Sequence, residues 1–551
     1  MTRFRFRLFA VLATLGLAGV VVAAQPAGAD ESQTKHVLLI SVDGLHATDL
    51  AWYVKHHPDS ALANLAGEGV TYTNAQTPFP SDSFPGMVGQ VTGGNPKTTG
   101  VYYDDTWNHV LLPAGTTNCT TATPGVEVTY FEQLDKDPLS IDAGQGLAGL
   151  PDSILNMTGN PTTLIDTTQL PVDPNTCKPV FPNQYLKVNT IFEVARAAGL
   201  RTAWSDKHPA YQILGGKTNA IQDLFTPEIN SNASVSGAVD WTKDNALTQI
   251  YDSFKVQAVI NEINGFDHSG KNRVGTPNVF GMNFQTISTA EKLPGGGYMT
   301  DGVTPSAMLE GALNYINDKV AAMDAALKHR GIAESTTVIL SAKHGQSPDS
   351  PSALTRIKDS TIIDQENAAW KAADPVHHTT DLVAFAVNDD GWLQWDNDTS
   401  QAAADFAKSF LAGYNGNGKG SDGKAKATDI FGNPKAYTSA GLGAIHAGAD
   451  AASFMGVPFG DPRVPDVIGI SQVGTVYTGG QGKIAEHGGD NPQDRDVALV
   501  VSGGGVAEGK VVNSSVETTQ IAPTILALLG LNPQALQAVK AEGTKVLPSI
   551  D

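Results

Sequence analysis

Five apolar, β-rich runs are spaced along the chain: "HVLLISVD" (36–43), "TAWSD" (202–206), "TTVILSAK" (336–343), "DVIGISQ" (466–472) and "DVALVVSG" (496–503). Their apolarity is continuous rather than alternating, which is the pattern of strands covered on both faces. Helical repeats lie between them. In the clearest, within 305–331, Leu309, Leu313, Ile316, Val320, Met323 and Leu327 recur at steps of four and three. Lys328, His329 and Arg330 followed by Gly331 give that helix favourable C-terminal chemistry. A helix leading into the run at 336 is half of a βαβ unit. The predicted class is therefore α/β, a mostly parallel, doubly wound sheet with helices on both faces.

Two segments break the alternation. Residues 104–185, rich in Pro, Thr and Asp, hold both cysteines and read as a loop-rich insertion stapled by one disulfide. Residues 346–465 carry elements of their own, such as "DLVAFAVND" and "SQAAADFAKSFLAGY", and read as a cap subdomain. Ligands of parallel α/β sheets bind beyond the carboxyl ends of the strands, so polar residues that follow apolar runs are the first candidates for chemistry.

The chain's start changes the picture of its compartment. Arg3, Arg5 and Arg7 precede an apolar run from Leu8 to Ala24, and Ala27-Gly28-Ala29 follows. This fits a secretory signal peptide over 1–29, with the mature chain starting at Asp30; the apolar run is only marginally long enough for a membrane anchor. The expected location is extracellular or in the cell envelope. Export suits Cys119 and Cys177, the only two cysteines, which can pair in an oxidising compartment, and it argues against thiol chemistry. Removing the leader's three arginines takes the net charge from −20 to about −23. Such a surface repels polymeric nucleic acid and anionic membranes. A small anionic substrate would need local positive charge, and a metal ion is one way to supply it.

Asp43 follows the first run, Lys343 and His344 end the third, and His487 precedes the fifth within "AEHGGDNPQDRD". Asn264, Asp267 and His268 stand together in "NEINGFDHSG" after a helical run. One aspartate and three histidines near loops of one sheet edge form a ligand inventory suited to zinc. In "PFPSDSFPGMVGQVTGG", Ser83 precedes Phe84-Pro85 and a short helical run. Its plain role is a helix N-cap. Its functional role would be a nucleophile meeting a phosphate favoured by free helix N–H groups. Lys207, His208 and Tyr211, in "SDKHPAY" after another strand, are candidate substrate contacts. "GYNGNGKG" from Gly413 fails as a P-loop because Gly420 stands where Ser or Thr is required. G-x-S-x-G, H-E-x-x-H and C-x-x-C are all absent from the chain.

Together, "LLISVDG", "SFPGMVGQVTGGNPKTTG", a Gly-x-x-His motif, a strand ending in x-His-Gly and a late His-Gly resemble the alkaline phosphatase superfamily. The branch most similar is the type I phosphodiesterase and nucleotide pyrophosphatase family, on Ser83, Phe84, Pro85, Val91, Thr92, Gly93, Pro96 and Gly100. The resemblance covers roughly 36–101, 186–345 and 484–530 and none of the insertions. It implies an alkaline-phosphatase-like domain over 30–551 and two adjacent zinc ions. One ion would be held by Asp43, Ser83 and His344 with an aspartate before that histidine, where this chain has Lys343. The other would be held by His268, His487 and an aspartate four residues before His268, where this chain has Asn264, with Asp267 as a substitute. Gly86 stands where the family has an asparagine that touches a phosphate oxygen.

Losing two anionic ligands weakens metal binding, so the expectation is one metal with Lys343 doing part of the other cation's work, or a pair rebuilt on Asp267. The expected activity is metal-dependent hydrolysis of a small-molecule phosphodiester or nucleotide pyrophosphate through a phosphoseryl intermediate on Ser83. The alternatives are a sulfatase or phosphonate hydrolase, against which Met87 replaces the sulfatase arginine, and a metal-stabilised, non-catalytic extracellular binding protein. Oligomeric state is not legible in the sequence.

Overall fold

The computed structural model describes residues 34–233, 240–420 and 425–550; the leader at 1–29 lies outside the described residues. The first six strands of the central sheet, in chain order, are β1 (His36–Val42), β2 (Gly69–Gln76), β3 (Ala203–Ser205), β4 (Asp223–Phe225), β5 (Val279–Phe284) and β6 (Thr336–Ser341). Four strands that form a second sheet follow: β7 (Val383–Val387), β8 (Gly391–Asp396), β9 (Leu442–Ala447) and β10 (Val467–Ser471). The last three are β11 (Asp496–Gly503), β12 (Lys510–Val512) and β13 (Val516–Glu517). The central nine-stranded sheet runs β12-β2-β11-β6-β1-β5-β3-β4, with β13 beside β2.

Pairs β6–β1, β1–β5, β5–β3 and β3–β4 are all parallel, as the continuous apolar runs predict. The run at 496–503 departs from the prediction, because β11 lies antiparallel between β6 and β2. The run at 466–472 departs further. Its strand β10 belongs to a separate antiparallel sheet, β7-β8-β10-β9, with the cap segment rather than the central sheet. Burial on both faces erased the alternation that separates a central strand from a sandwiched antiparallel one.

Alternate residues of β1 feed two cores, one on each face. Val37 and Leu39 join Phe84, Trp204 and Ile339, while Leu38, Ile40 and Val42 join Met282, Leu313 and Leu340. The predicted helix is Ala307–Arg330; Ser306 caps it through Leu309 N–H, and Gly331 ends it at φ +74°. Its six apolar stripe residues are all buried, each stabilising by about 2 kcal/mol. Cys119 and Cys177 form a disulfide. Among the described residues no helix is long and apolar enough to cross a membrane.

Candidate active site

The carboxyl ends of β1, β3, β5 and β6 meet in one place. Asp43 follows β1, Asp206 and Lys207 follow β3, Gln285 follows β5, and Lys343 and His344 come just after β6. Ser83 is brought to them as the first residue of α1 (Ser83–Thr92). The helix sits against β6 so closely that a Cβ at Gly86 would collide with the carbonyl oxygen of Lys343. Gly86 is therefore a close-packing glycine and offers no side chain to a substrate, which corrects its expected binding role. The start of α1 is also not open to an anion, because the Asp82 carboxylate already accepts from Phe84 N–H at 3.0 Å.

Two ammonium groups face Asp43. Lys207 Nζ lies 2.9 Å from Ser83 Oγ and 3.6 Å from Asp43 Oδ2. Lys343 Nζ lies 3.8 Å from Asp43 Oδ2, 3.2 Å from Asp206 Oδ1 and 2.7 Å from the Tyr211 hydroxyl. Gln285 donates to Asp43 Oδ2 at 2.5 Å. With its amide oriented to satisfy its neighbours, Asn283 donates to Asp43 Oδ1 at 2.9 Å. Burial opposes ionisation of Asp43, but the Lys343 and Lys207 ammoniums overcome it and hold the carboxyl well below the usual range. Burial also acts against the Lys207 charge, and Asp43, Asp104, Asp206 and Asp82 reverse that, so its pKa rises. For Lys343 burial wins over Asp206 and Asp43, and its pKa falls.

His344 Nε2 lies 3.3 Å from Ser83 Oγ, and its Nδ1 is 2.8 Å from the carbonyl of Gly345. Burial holds this ring neutral, at about 3. His487 packs on it with ring centres 3.8 Å apart, and His487 Nδ1 lies 3.6 Å from Asp82 Oδ1. Outside these groups lies a cavity of about 410 Å³ lined by Lys207, His208, Gln285, His344 and His487 among others. Ser83 itself is fully buried, beneath Lys207 and His344. His208 Nδ1 is turned to a Glu228 carboxylate oxygen at 2.8 Å, and the Tyr211 ring packs 4.4 Å from Phe84.

The structure brings Asp43, Ser83, Lys207, Tyr211, Lys343, His344 and His487 together; it does not bring Asn264, Asp267 or His268. Asn264 caps the C-terminal end of α2 (Asn245–Ile263), and its amide donates to Ile260 at 2.9 Å. Asp267 accepts from Ser269 and Asn272 within its own turn. His268 uses both ring nitrogens elsewhere, with Nδ1 2.5 Å from Asp223 and Nε2 2.7 Å from the Met157 carbonyl. Asp223 opens β4, at the amino-terminal end of the parallel strands, opposite the end that delivers Asp43. A Gly-x-x-His spacing in a loop after a helix matched the family pattern without sharing its place. Gln285 and Asn283 escaped the sequence reading because β5, "VFGMNF", carries one neutral amide near its end and is followed by another rather than by a charged residue. A buried run after α2 was the signal that could have found them.

The two-ion centre implied by the resemblance does not fit these residues. A zinc ligand oxygen or nitrogen lies about 2.0–2.2 Å from its ion, yet the Lys207 ammonium stands 2.9 Å from Ser83 Oγ and faces the same Asp43 oxygen. Neither expected position supplies a carboxylate: Lys343 stands at one, Asp267 is held in its own turn, and the nearby Asp206 carboxylate is engaged by Lys343 and the Trp204 ring N–H. Among the described residues the only grouping of three metal-ligating side chains is His46, Asp49 and Glu291, where hydrogen bonds already engage both ring nitrogens of His46.

The model for type I phosphodiesterase / nucleotide pyrophosphatase matches residues 37–491. No curated protein sequence matches. Among solved structures, an inactive variant of murine ectonucleotide pyrophosphatase / phosphodiesterase 5 in complex with AMP aligns at TM-score 0.53 and 11% identity, covering 91% of this chain and 96% of that one. The human counterpart aligns at TM-score 0.53 and 12% identity, covering 90% and 95%. The wild-type alkaline phosphatase PafA aligns at TM-score 0.57 and 14% identity, covering 91% and 96%. Such proteins generally depend on divalent metal ions, and the two ammonium groups beside Asp43 are this chain's departure from them. The match over most of the chain shows that it belongs to the type I phosphodiesterase / nucleotide pyrophosphatase family, hydrolases of phosphoric ester bonds.

Proposed function

We propose that the protein hydrolyses small phosphodiesters or nucleotide pyrophosphates outside the cytoplasm, with Ser83 as the nucleophile and a phosphoserine as the intermediate. The observation that carries this reading is the Lys207 ammonium, 2.9 Å from Ser83 Oγ and lining the cavity above it. A phosphoryl group entering that cavity meets the Lys207 ammonium where it stands beside Ser83 Oγ. Fixed positive charge at the place where negative charge develops stabilises the transition state. Lys343 supplies a second cation, anchored by Asp206 and Tyr211. The solved relative that holds AMP supports a nucleotide as the organic group. The 29-residue leader pattern and the Cys119–Cys177 disulfide support export.

The test is turnover of bis-p-nitrophenyl phosphate, p-nitrophenyl phosphate and p-nitrophenyl sulfate by residues 30–551, with mass spectrometry of the Ser83 peptide after acid quenching. The expected result is preference for the diester, a phosphoryl adduct on Ser83, and loss of at least about 1000-fold in kcat for Ser83→Ala. No turnover of any phosphate ester, or full activity of Ser83→Ala, overturns the reading.

A further inference from the structure

We propose that His344 is the general base for Ser83, so that proton transfer to an imidazole, together with the Lys207 and Lys343 cations, replaces metal activation of the nucleophile. This rests on Ser83 being the nucleophile, as proposed above.

The hydrogen-bond geometry fixes the proton positions. A carbonyl oxygen only accepts, so His344 Nδ1, 2.8 Å from the Gly345 carbonyl, carries the ring's hydrogen. Nε2 then presents a lone pair, and it faces Ser83 Oγ at 3.3 Å; the burial that keeps the ring neutral makes it a weak base, so it takes the proton only as the Oγ–P bond forms and not beforehand. Lys207 has only hydrogens to offer, so its 2.9 Å contact uses a lone pair of Oγ and leaves the serine's own hydrogen for a neighbour. The competing acceptor, Asp43 Oδ2, is farther at 3.5 Å, already accepts from Gln285, and faces both ammoniums.

The base is also held rigidly. Gly345 N–H donates to the Asp494 carbonyl at 2.7 Å, and a Cβ at Gly345 would come within 2.7 Å of the His46 ring, so the carbonyl that sets the tautomer has one orientation. His487 covers the His344 ring from one side. This is the nucleophile, base and orienting-group logic of covalent catalysis, with a backbone carbonyl in the orienting role.

The steps balance without a metal ion. The Ser83 Oγ–H proton passes to His344 Nε2 as the Oγ–P bond forms, and the P–O bond to the leaving group breaks. The leaving group departs as an anion with its bonding pair. Water then attacks phosphorus from the vacated side and releases one proton to solvent. The Oγ–P bond breaks with its electrons on Oγ, and His344 returns its proton there. Good leaving groups such as phosphates and phenolates need no further acid in this scheme, which suits a pyrophosphate bond.

The experiment uses residues 30–551 dialysed against a chelator, with metal content measured by mass spectrometry alongside turnover of bis-p-nitrophenyl phosphate. Expected are far less than one metal ion per chain and an unchanged kcat. His344→Gln, shown to be folded by its unfolding midpoint, is expected to lose about 100- to 10,000-fold in kcat with little change in KM. His344→Ala is expected to regain activity when free imidazole is added, which a purely structural role would not produce. Loss of activity on chelation with recovery on adding zinc overturns the inference while leaving Ser83 phosphorylation, and hence the proposed function, intact. Full activity of His344→Gln also overturns it. Retained activity in Ser83→Ala would instead remove the functional reading itself.

Discussion

The ammonium of Lys343 lies 2.7 Å from the hydroxyl of Tyr211 and 4.3 Å from the centre of its ring. A lysine directly after the core strand β6 is thus paired rather than solvated: Asp206, Asp43 and an aromatic ring take up its charge in a site with no exposure. Removing one partner of such a buried network leaves the others uncompensated. Lys343→Ala is expected to cost about 3–5 kcal/mol of stability, and Tyr211→Phe about 1 kcal/mol, both read from urea unfolding at pH 7.

Lys207 is reached from the cavity and contacts Ser83, the proposed nucleophile, directly, so its loss should appear in rate more than in stability. Lys207→Met is expected to lower kcat on a phosphodiester by about 100- to 1000-fold, while Lys207→Arg keeps the charge and part of the rate. Equal kcat values for wild type and Lys207→Met would place the catalytic charge elsewhere.

Gly86 stands where the family has an asparagine, and the packing explains why no side chain is tolerated. Any Cβ there meets the Lys343 carbonyl, which is rigid backbone. Gly86→Ala is expected to destabilise by about 1–3 kcal/mol, and Gly86→Asn by more, without gaining a phosphate contact. Unfolding midpoints of the two variants check the order.

The central strands and the long helix were legible because burial on two faces and a 3.6-residue stripe leave direct marks on the sequence. Asp43, Lys343 and His344 were legible for a related reason: a polar residue directly after a continuous apolar run projects from the carboxyl edge of a strand. Ser83 and His487 were singled out beside a helix start and a strand, and the family resemblance added weight to them, since serines and histidines beside glycines are common in loops. What the sequence hid was long-range pairing. Nothing local tells that β11 runs antiparallel, that β10 leaves the central sheet, or that His268 turns to Asp223 at the opposite end of the strands. Lys207 was visible as a loop lysine, but its contact with a serine 124 residues away depends on the β3 register.

The position of His268 gives a clean discrimination. As a metal ligand it would be needed for turnover, whereas here its ring joins Asp223 to the Met157 carbonyl and stacks 5.0 Å from Phe225. His268→Ala is expected to leave kcat within about twofold and to lower stability by about 1–3 kcal/mol, the cost of an unsatisfied buried carboxylate and carbonyl. A loss of activity beyond about 100-fold in a folded variant would return His268 to the site.

The buried group of His46, Asp49, Glu291 and Asp349 makes stability depend on pH. Burial opposes charge on His46, but Glu291, Asp49 and Asp349 overcome it and raise its pKa well above 6.5. Burial pushes Glu291 up to about 8 against the pull of His46, and Asp349 up to about 6. Every one of these shifts makes the folded chain hold protons that the unfolded chain releases. The His46 contribution is therefore fully present below its unfolded value of about 6.5 and is lost as pH rises through its raised folded value. Ionising Glu291 and Asp349 subtracts further between their unfolded values and about 8 and 6. Each extra proton held by the folded state lowers stability by about 1.4 kcal/mol per pH unit over that range. Urea unfolding at pH 6, 7.5 and 9 should give a falling series, and Glu291→Gln should flatten it by removing one titrating group. A stability that rises between pH 6 and 9 would mean that the cluster is charged and solvated rather than sharing protons within the fold.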